Sequence, residues 1–435
     1  MTITGIINNR TNITEIVNQL PKDIIFEFTK FINKLSDVRN LSSVNKHYFT
    51  VIFNNQFPLW KILLQFHFPT SFQNRRLDQS AMILYQNLKT IDNNMREGNY
   101  EKRTCAGHQA PVTCLKAQDG LLVSGSSDNT IKIWDLPSGK LLKSLNNHQS
   151  SGTCLSIQDG MLISDSWDNT IKIWDLASGN VLHNMTGHQS NIFSLEVIGK
   201  KVVSGSSDGV IKIWSLESGN QLHSLKAHQE GVICLKALNG MFISGSYDHT
   251  IKIWNLENAE ELLTLNSNQD SLHCLEVKDG KIISGSWDKS IKVWDLSSGK
   301  LIHSLNGHQS RITCLCIKDG LLFSGSWDKT IKIWDLESGK ELHSLTGHEA
   351  NIKCLKVEGG LLFSGSSDST VKIWDIASGK ELHSLTGHQS FIKCLCIQNG
   401  MLISGSDDHT INIWDFTPSS KMTNRGNQNN NSATL

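Results

Sequence analysis

The sequence has no net charge: its 41 lysines and arginines balance its 41 aspartates and glutamates. Residues 1–100 hold 11 basic and 7 acidic side chains, a net of +4, so the remainder carries −4. Such a balance argues against a protein held to nucleic acid or to a membrane surface by bulk charge. No apolar run is long enough to span a bilayer. Residues 1–10 lack a basic cluster followed by an apolar stretch, so no secretory signal is expected. Cysteine is absent before Cys105 and after Cys396, and most of the ten recur at one fixed interval, which is not the spacing of a disulfide framework. No Cys-x-x-Cys or paired histidine spacing accompanies them, and no glycine loop of Walker or Rossmann type is present.

What is there is a repeat. Trp134, Trp174, Trp214, Trp254, Trp294, Trp334, Trp374 and Trp414 stand 40 residues apart, and so do the aspartates from Asp128 to Asp408. Histidine keeps the same interval from His108 to His388, with one break where Asn268 takes the slot. Inside each unit the apolar pattern has period two. In the unit of residues 311–345, Ile312, Cys314 and Cys316 alternate with Arg311, Thr313 and Leu315. Asp319-Gly320 then turns the chain, residues 321–326 read as a second strand, Asp328-Lys329 turns again, and residues 330–335 and 341–345 read as a third and fourth. Four short strands per unit of this length predict a β-propeller, and eight units predict eight blades.

The stretches IKIWD, GH and SGS-x-D closely resemble the WD-repeat family, over residues 100–416. Departures are Ser215 and Asn255 for the aspartate of the Trp-Asp pair, and Asp165 for the glycine of Ser-Gly-Ser. The last unit stops after its third strand, at Phe416. Residues 100–107 align with residues 380–387, which predicts that the N-terminal strand completes the last blade and closes the ring.

Each unit also holds His, Ser and Asp at fixed offsets, as in His308, Ser324 and Asp328, with Trp334. The set invites a hydrolase reading. Repetition argues against it, because a catalytic group is needed once. The family resemblance implies a structural tetrad that hydrogen-bonds the indole instead. The recurring cysteines are expected as buried small hydrophobes. His183, His223, His303, His343 and His383, on the outermost strands, are expected to face solvent. The chain is expected to need no cofactor and to be no enzyme.

Residues 20–61 have a different pattern. Pro21 can open a helix on which Ile24, Ile25, Phe28, Phe31 and Ile32 recur at helical spacing, and Ser36 can cap a second helix carrying Val38, Leu41 and Val44. With Leu20, Asp23, Leu35, Asp37, Asn45, Lys46, Tyr48, Leu59 and Trp60, this stretch resembles the F-box. The alternative is an ordinary helical hairpin. The expected organisation is an N-terminal segment (1–19), an all-α F-box-like domain (20–61), a helical linker (62–99), the all-β propeller (100–416) and a disordered Asn/Ser-rich tail (417–435).

The resemblance implies that Leu20, Pro21, Ile24, Val38, Leu41, Val44 and Trp60 dock a Skp-family adaptor of a cullin-type ubiquitin ligase, while the propeller holds a target protein. Comparing the units places the variation three and five residues after the histidine slot and just before the aspartate. Trp167, Tyr247, Trp287 and Trp327 occupy the last of these positions. Arg311, Lys353, Phe391 and Lys393 occupy the others, and Arg311 is the only arginine between Thr104 and Lys421. These eight residues are the expected target contacts, and their charge points to an acidic or phosphorylated partner. The aromatics could instead pack on the neighbouring blade. No nucleic-acid or membrane partner is expected, and the expected compartment is the cytoplasm, with the nucleus left open. Near-identical repeats suggest recent duplication, and the Asn/Ile/Lys bias an AT-rich genome, which leaves open a host-mimicking protein acting in a host cytosol. A WD-repeat scaffold with no ubiquitin role is the alternative reading.

Overall fold

The computed structural model describes residues 81–418, apart from positions 147, 239, 268 and 269. The F-box-like stretch, with Leu20, Pro21, Ile24, Val38, Leu41, Val44 and Trp60, lies outside the described residues, and so do Asn268 and the tail from residue 419. Among the described residues, helix α1 (Ala81–Glu97) precedes thirty-two strands, β1–β32, in chain order. No helix among them is long and apolar enough to cross a membrane.

The strands form eight antiparallel four-stranded sheets, the blades. Blade 1 runs β2 (Val112–Gln118), β3 (Leu121–Ser126), β4 (Ile131–Asp135), β5 (Leu141–Leu145), and the next six repeat that order. Blade 8 is the exception. Its strands β30 (Ile392–Gln398), β31 (Met401–Ser406) and β32 (Thr410–Asp415) are completed by β1 (Glu101–Ala106), which pairs with β32 from Glu101↔Asp415 to Ala106↔Thr410. The innermost strands contact one another in succession, and β30 contacts β2, so the ring is closed.

Local chemistry builds each blade. The first hairpin turns on residues with positive φ, as at Asp319 (49°) and Gly320 (78°), the backbone a two-residue hairpin needs. The second strand is buried on both faces, and the third carries the tryptophan inward, with Trp334 only 2% exposed. The Ser-Gly-Ser glycine is required by close packing. A Cβ on Gly325 would lie 2.7 Å from Cys314 Sγ and 2.6 Å from Ile352 Cγ2 of the next blade. The cysteine thus fills the space the glycine leaves. Burial pushes the thiols of Cys114, Cys234 and Cys314 up to about 12, so they are protonated and inert at neutral pH.

One expectation needs correction, and one departure from the repeat has a visible effect. The outer-strand histidines do not simply face solvent: they are half-buried. His183 Nε2 donates to the Glu217 carbonyl at 2.9 Å, and His303 Nε2 to that of Glu337 at 3.0 Å, each on the next blade's turn. In β25 (Glu341–Leu345), His343 is paired with Ile333, a buried residue, while Leu342 between the inward positions is 48% exposed. The register thus gives the leucine to water and the imidazole to the blade interface. Asp165, in turn, disturbs its blade. In blade 6 Cys314 pairs with Gly325, but in blade 2 the corresponding rung is absent between Gly152↔Ser166 and Leu155↔Ser164. The Asp165 side chain is fully buried and accepts the Cys154 N–H at 2.6 Å.

One oxygen of that carboxyl, Oδ2, is buried without a hydrogen bond, and burying an unsatisfied polar atom is costly. Asp165→Gly is therefore expected to stabilise the propeller by about 1–3 kcal/mol, seen as a higher urea midpoint at unchanged slope. An unchanged or lower midpoint would show that the carboxylate supports the blade.

Helix α1 ends in a glycine cap: Gly98 has φ 70° and Asn99 N–H donates to the Asn94 carbonyl at 2.9 Å. Its last turns, from Ile91, pack on the closing blades. Met95 is buried in a cluster with Leu361, Leu402 and Phe416. Arg96 Nη1 meets Asp375 Oδ2 at 2.6 Å, and the Arg96 carbonyl accepts from His383 Nε2 at 2.8 Å. The helix end thus takes, against His383, the place that the next blade's turn takes against His183 and His303.

Candidate functional site

The geometry of the tetrads tests whether the repeated His-Ser-Asp set could act as a hydrolytic centre. In blade 6 His308 Nδ1 lies 2.8 Å from Asp328 Oδ2, His308 Nε2 2.8 Å from Ser324 Oγ, and Trp334 Nε1 donates to Ser324 Oγ at 2.9 Å. Asp328 also accepts from the backbone N–H groups of Gln309 and Thr330 and from the Thr330 hydroxyl. Burial raises the Asp328 pKa, but the bonds from His308, Thr330 and Gln309 outweigh it and hold the carboxyl well below the usual range. Ser324 is 0% exposed and lies against the indole. No acyl group can reach that hydroxyl, so the set supports the fold and not hydrolysis.

Blade 3 breaks the pattern. His188 keeps Ser204 at 2.7 Å, but its Nδ1 is buried without a partner. Asp208 turns instead to the Ser206 hydroxyl and the Val210 N–H. Val210 replaces the threonine, or in blade 5 the serine, whose hydroxyl clamps the aspartate elsewhere. Gly209 carries φ 79° under the His228 carbonyl, which would lie 2.3 Å from a Cβ. Burial, with the charge of Lys212, lowers the His188 pKa to about 4.

The variable positions meet at one rim of the ring, and the backbone explains why. In every blade the N–H of the residue before the aspartate donates to the carbonyl three residues after the histidine slot. Examples are Trp327 N to Arg311 O at 3.0 Å and Trp287 N to Ser271 O at 3.1 Å. Between blades 5, 6 and 7 these positions form a pocket lined by His273, Trp287, Arg311, Thr313, Trp327 and Lys353. The Arg311 guanidinium carbon lies 4.0 Å from the Trp287 ring centroid and 4.6 Å from that of Trp327, and Lys353 Nζ lies 5.5 Å from Trp327. Each such contact is worth about 0.5–2 kcal/mol. A guanidinium held over two indoles keeps N–H groups that can recognise carboxylate or phosphate. Desolvation, then the charge of Lys393, holds the Lys353 ammonium below its usual range. No carboxylate lines the pocket.

Of the eight residues expected to touch a target, Trp287, Trp327, Arg311 and Lys353 share this pocket. Tyr247 stands behind it, 6.3 Å from Trp287. Phe391 is exposed outside it, and Lys393 is drawn to Asp407 at 3.4 Å. Trp167, in blade 2, is 46% exposed and is not part of the pocket. His273 and Thr313 line the pocket but escaped the sequence reading. Both lie five residues after the slot, where the other units carry Thr113, Thr153, Phe193, Ile233, Lys353 and Lys393. Reading that column alone would have singled out His273.

Comparison with known proteins adds the following. The WD domain, G-beta repeat family matches eight segments, from 99–135 to 379–415, and leaves the F-box-like stretch outside. The "Probable E3 ubiquitin ligase complex SCF subunit sconB" of Talaromyces marneffei is 36% identical over 62 residues, 14% of this chain and 9% of that protein. The F-box/WD repeat-containing protein lin-23 of Caenorhabditis elegans is 32% identical over 88 residues, 17% of this chain and 13% of that protein. The chain thus spans only about a tenth of the curated relatives it matches. Among solved structures, the computationally designed Ika8 protein superposes with a TM-score of 0.68 at 37% identity, covering 71% of this chain and 97% of that one.

Proposed function

The chain belongs to the WD domain, G-beta repeat family, and from that premise we propose that it is a substrate-recognition subunit of an SCF-type ubiquitin ligase. In this reading residues 20–61 dock a Skp-family adaptor, with Leu20, Pro21, Ile24, Val38, Leu41, Val44 and Trp60 at the contact. The propeller rim holds an acidic or phosphorylated target protein, in the cytoplasm. The observation that carries the target side is Arg311 stacked on Trp287 and Trp327 in a pocket without a carboxylate. The adaptor side rests on the F-box-like residues and on the partial similarity to SCF subunits. The chain itself transfers nothing; it raises the effective concentration of target beside the ligase.

A scaffold with no ubiquitin role is the second reading, favoured by a family match confined to 99–415. Adaptor binding separates the two. The full chain is expected to bind a Skp-family adaptor, residues 100–435 alone are not, and Leu20→Ala with Pro21→Ala abolishes binding while the propeller melts unchanged. Equal adaptor binding by the double variant and the parent would favour the scaffold. For the rim, Arg311→Ala is expected to weaken binding of an acidic target peptide at least tenfold, about 1.4 kcal/mol, with adaptor binding intact. Isothermal titration of both variants measures this, and equal affinities would remove the rim from the reading.

A further inference from the structure

We propose that His273 makes ligand binding at the rim pocket proton-linked, so that an anion binds more tightly as pH falls from 8 to 6. The inference rests on reading the pocket as an anion site and adds a regulator to it.

Strand β18 (Leu272–Lys278) opens blade 5, and His273 stands at its start, exposed, with its ring 6.3 Å from that of Trp287. Most of the described histidines are engaged. The slot histidines bind serine, and several outer ones bind a carbonyl. The two ring nitrogens of His273 have no hydrogen-bond partner among the described residues. Thr113 and Thr313, at the same position, are committed to backbone: the Thr313 hydroxyl is shared between the carbonyls of Gly325 and Ile352, and that of Thr113 between those of Gly125 and Gly152. His273 therefore has donor capacity aimed at nothing in its own chain.

The charges around it have one sign. Arg311, leading into β22 (Ile312–Lys318), and Lys353, in β26 (Ile352–Glu358), share its pocket. From its own blade comes Trp287, with the Tyr247 phenol of blade 4 behind that ring. The acidic groups nearby are engaged. Asp270 Oδ1 accepts the Ser271 N–H at 2.8 Å, Asp407 lies 3.4 Å from Lys393, and Glu276, lower in the same strand, pairs with Lys236 at 2.9 Å. Desolvation and the charges of Lys353 and Arg311 lower the His273 pKa.

The empty pocket therefore keeps His273 neutral at neutral pH. A bound dianion cancels the repulsion from Arg311 and Lys353 and offers an acceptor, so the pKa rises and a proton is taken up. By linkage, a site that gains a proton on binding gains affinity as pH falls, over the interval between its free and bound pKa. A ligand phosphate would itself begin to lose charge near pH 6, which opposes the effect. Sulfate remains a dianion throughout and isolates the protein's contribution.

The test uses the full chain, with sulfate as probe, histidine ring NMR and sulfate titrations at pH 6, 7 and 8. Saturating sulfate is expected to raise the His273 pKa by about one unit. Parent affinity is expected to be several-fold higher at pH 6 than at pH 8, while His273→Gln is expected to bind sulfate equally at pH 6 and pH 8. Identical pH dependence in parent and H273Q, or a His273 pKa that ignores sulfate, overturns the inference. Arg311→Ala distinguishes the two levels. If it abolishes sulfate binding while H273Q changes nothing, only the proton linkage falls. If the parent binds no sulfate at any pH, the anion reading of the pocket falls with it.

Discussion

A chain that starts at His108 is expected to melt at least 10 °C below one that starts at Asn99. The second retains β1 and the first does not. β1 covers Ile411 and Ile413, both 0% exposed, and buries Cys105. It also carries Arg103, whose Nη2 meets Asp415 Oδ2 at 2.6 Å, and Thr104, which donates to Asn412. Uncovering each isoleucine costs about 2 kcal/mol, and the cysteine, the ion pair and the lost ladder add to that. About 5 kcal/mol is the whole net stability of many domains. The opened blade would also offer an unpaired edge, so the shortened chain is expected to associate as concentration rises. A chain starting at Ala81 restores the latch of Met95, Asn94 and Arg96 and is expected to melt a few degrees above the Asn99 chain. Calorimetry of the three resolves the two contributions. Equal midpoints for the His108 and Asn99 chains would mean that the ring does not depend on its closing strand.

Asp328→Ala is expected to cost about 2–4 kcal/mol and Asp208→Ala under about 1 kcal/mol, although both replace the same repeat position. Asp328 takes bonds from His308, Gln309 and Thr330, and its loss strands a histidine whose side chain is 1% exposed. Asp208 serves only the Ser206 hydroxyl and the Val210 N–H, and His188 already lacks an aspartate. The molecule thus carries its own control, since blade 3 is a native tetrad with its last bond missing. Urea denaturation of the two variants side by side measures the difference. Equal losses would show that the His–Asp bond contributes little, and that the aspartate acts through its turn alone.

Comparison among the units located much of this without coordinates, and its failures share one cause. The outer-strand histidines were assigned to solvent because alternation alone does not say which face is covered. The pairing decides it, setting Leu345 opposite Ile331 and His343 opposite Ile333 on the covered face. Asp208 looked like its seven counterparts, yet it turns away where Val210 supplies no hydroxyl and the Gly209 carbonyl accepts the N–H groups of Ala227 and His228. His273 was passed over in the one unit where the histidine slot holds Asn268, a unit that reads as merely defective.

By itself, the sequence determined the number of blades, the strand that closes the ring and the tetrad positions. All of these follow from a local pattern that repeats every 40 residues and turns on local residues such as Asp319-Gly320. Only the tertiary structure decided which variable residues lie together. Trp287, Arg311 and Lys353 come from three blades, and their proximity depends on how adjacent innermost strands pack. The stacking of Arg311 on two indoles, the unpartnered ring of His273 and the disturbed rung at Asp165 are likewise contacts between strands or blades. Periodicity within one unit carries no record of them, because each depends on the side chain that a different strand or blade presents at that point.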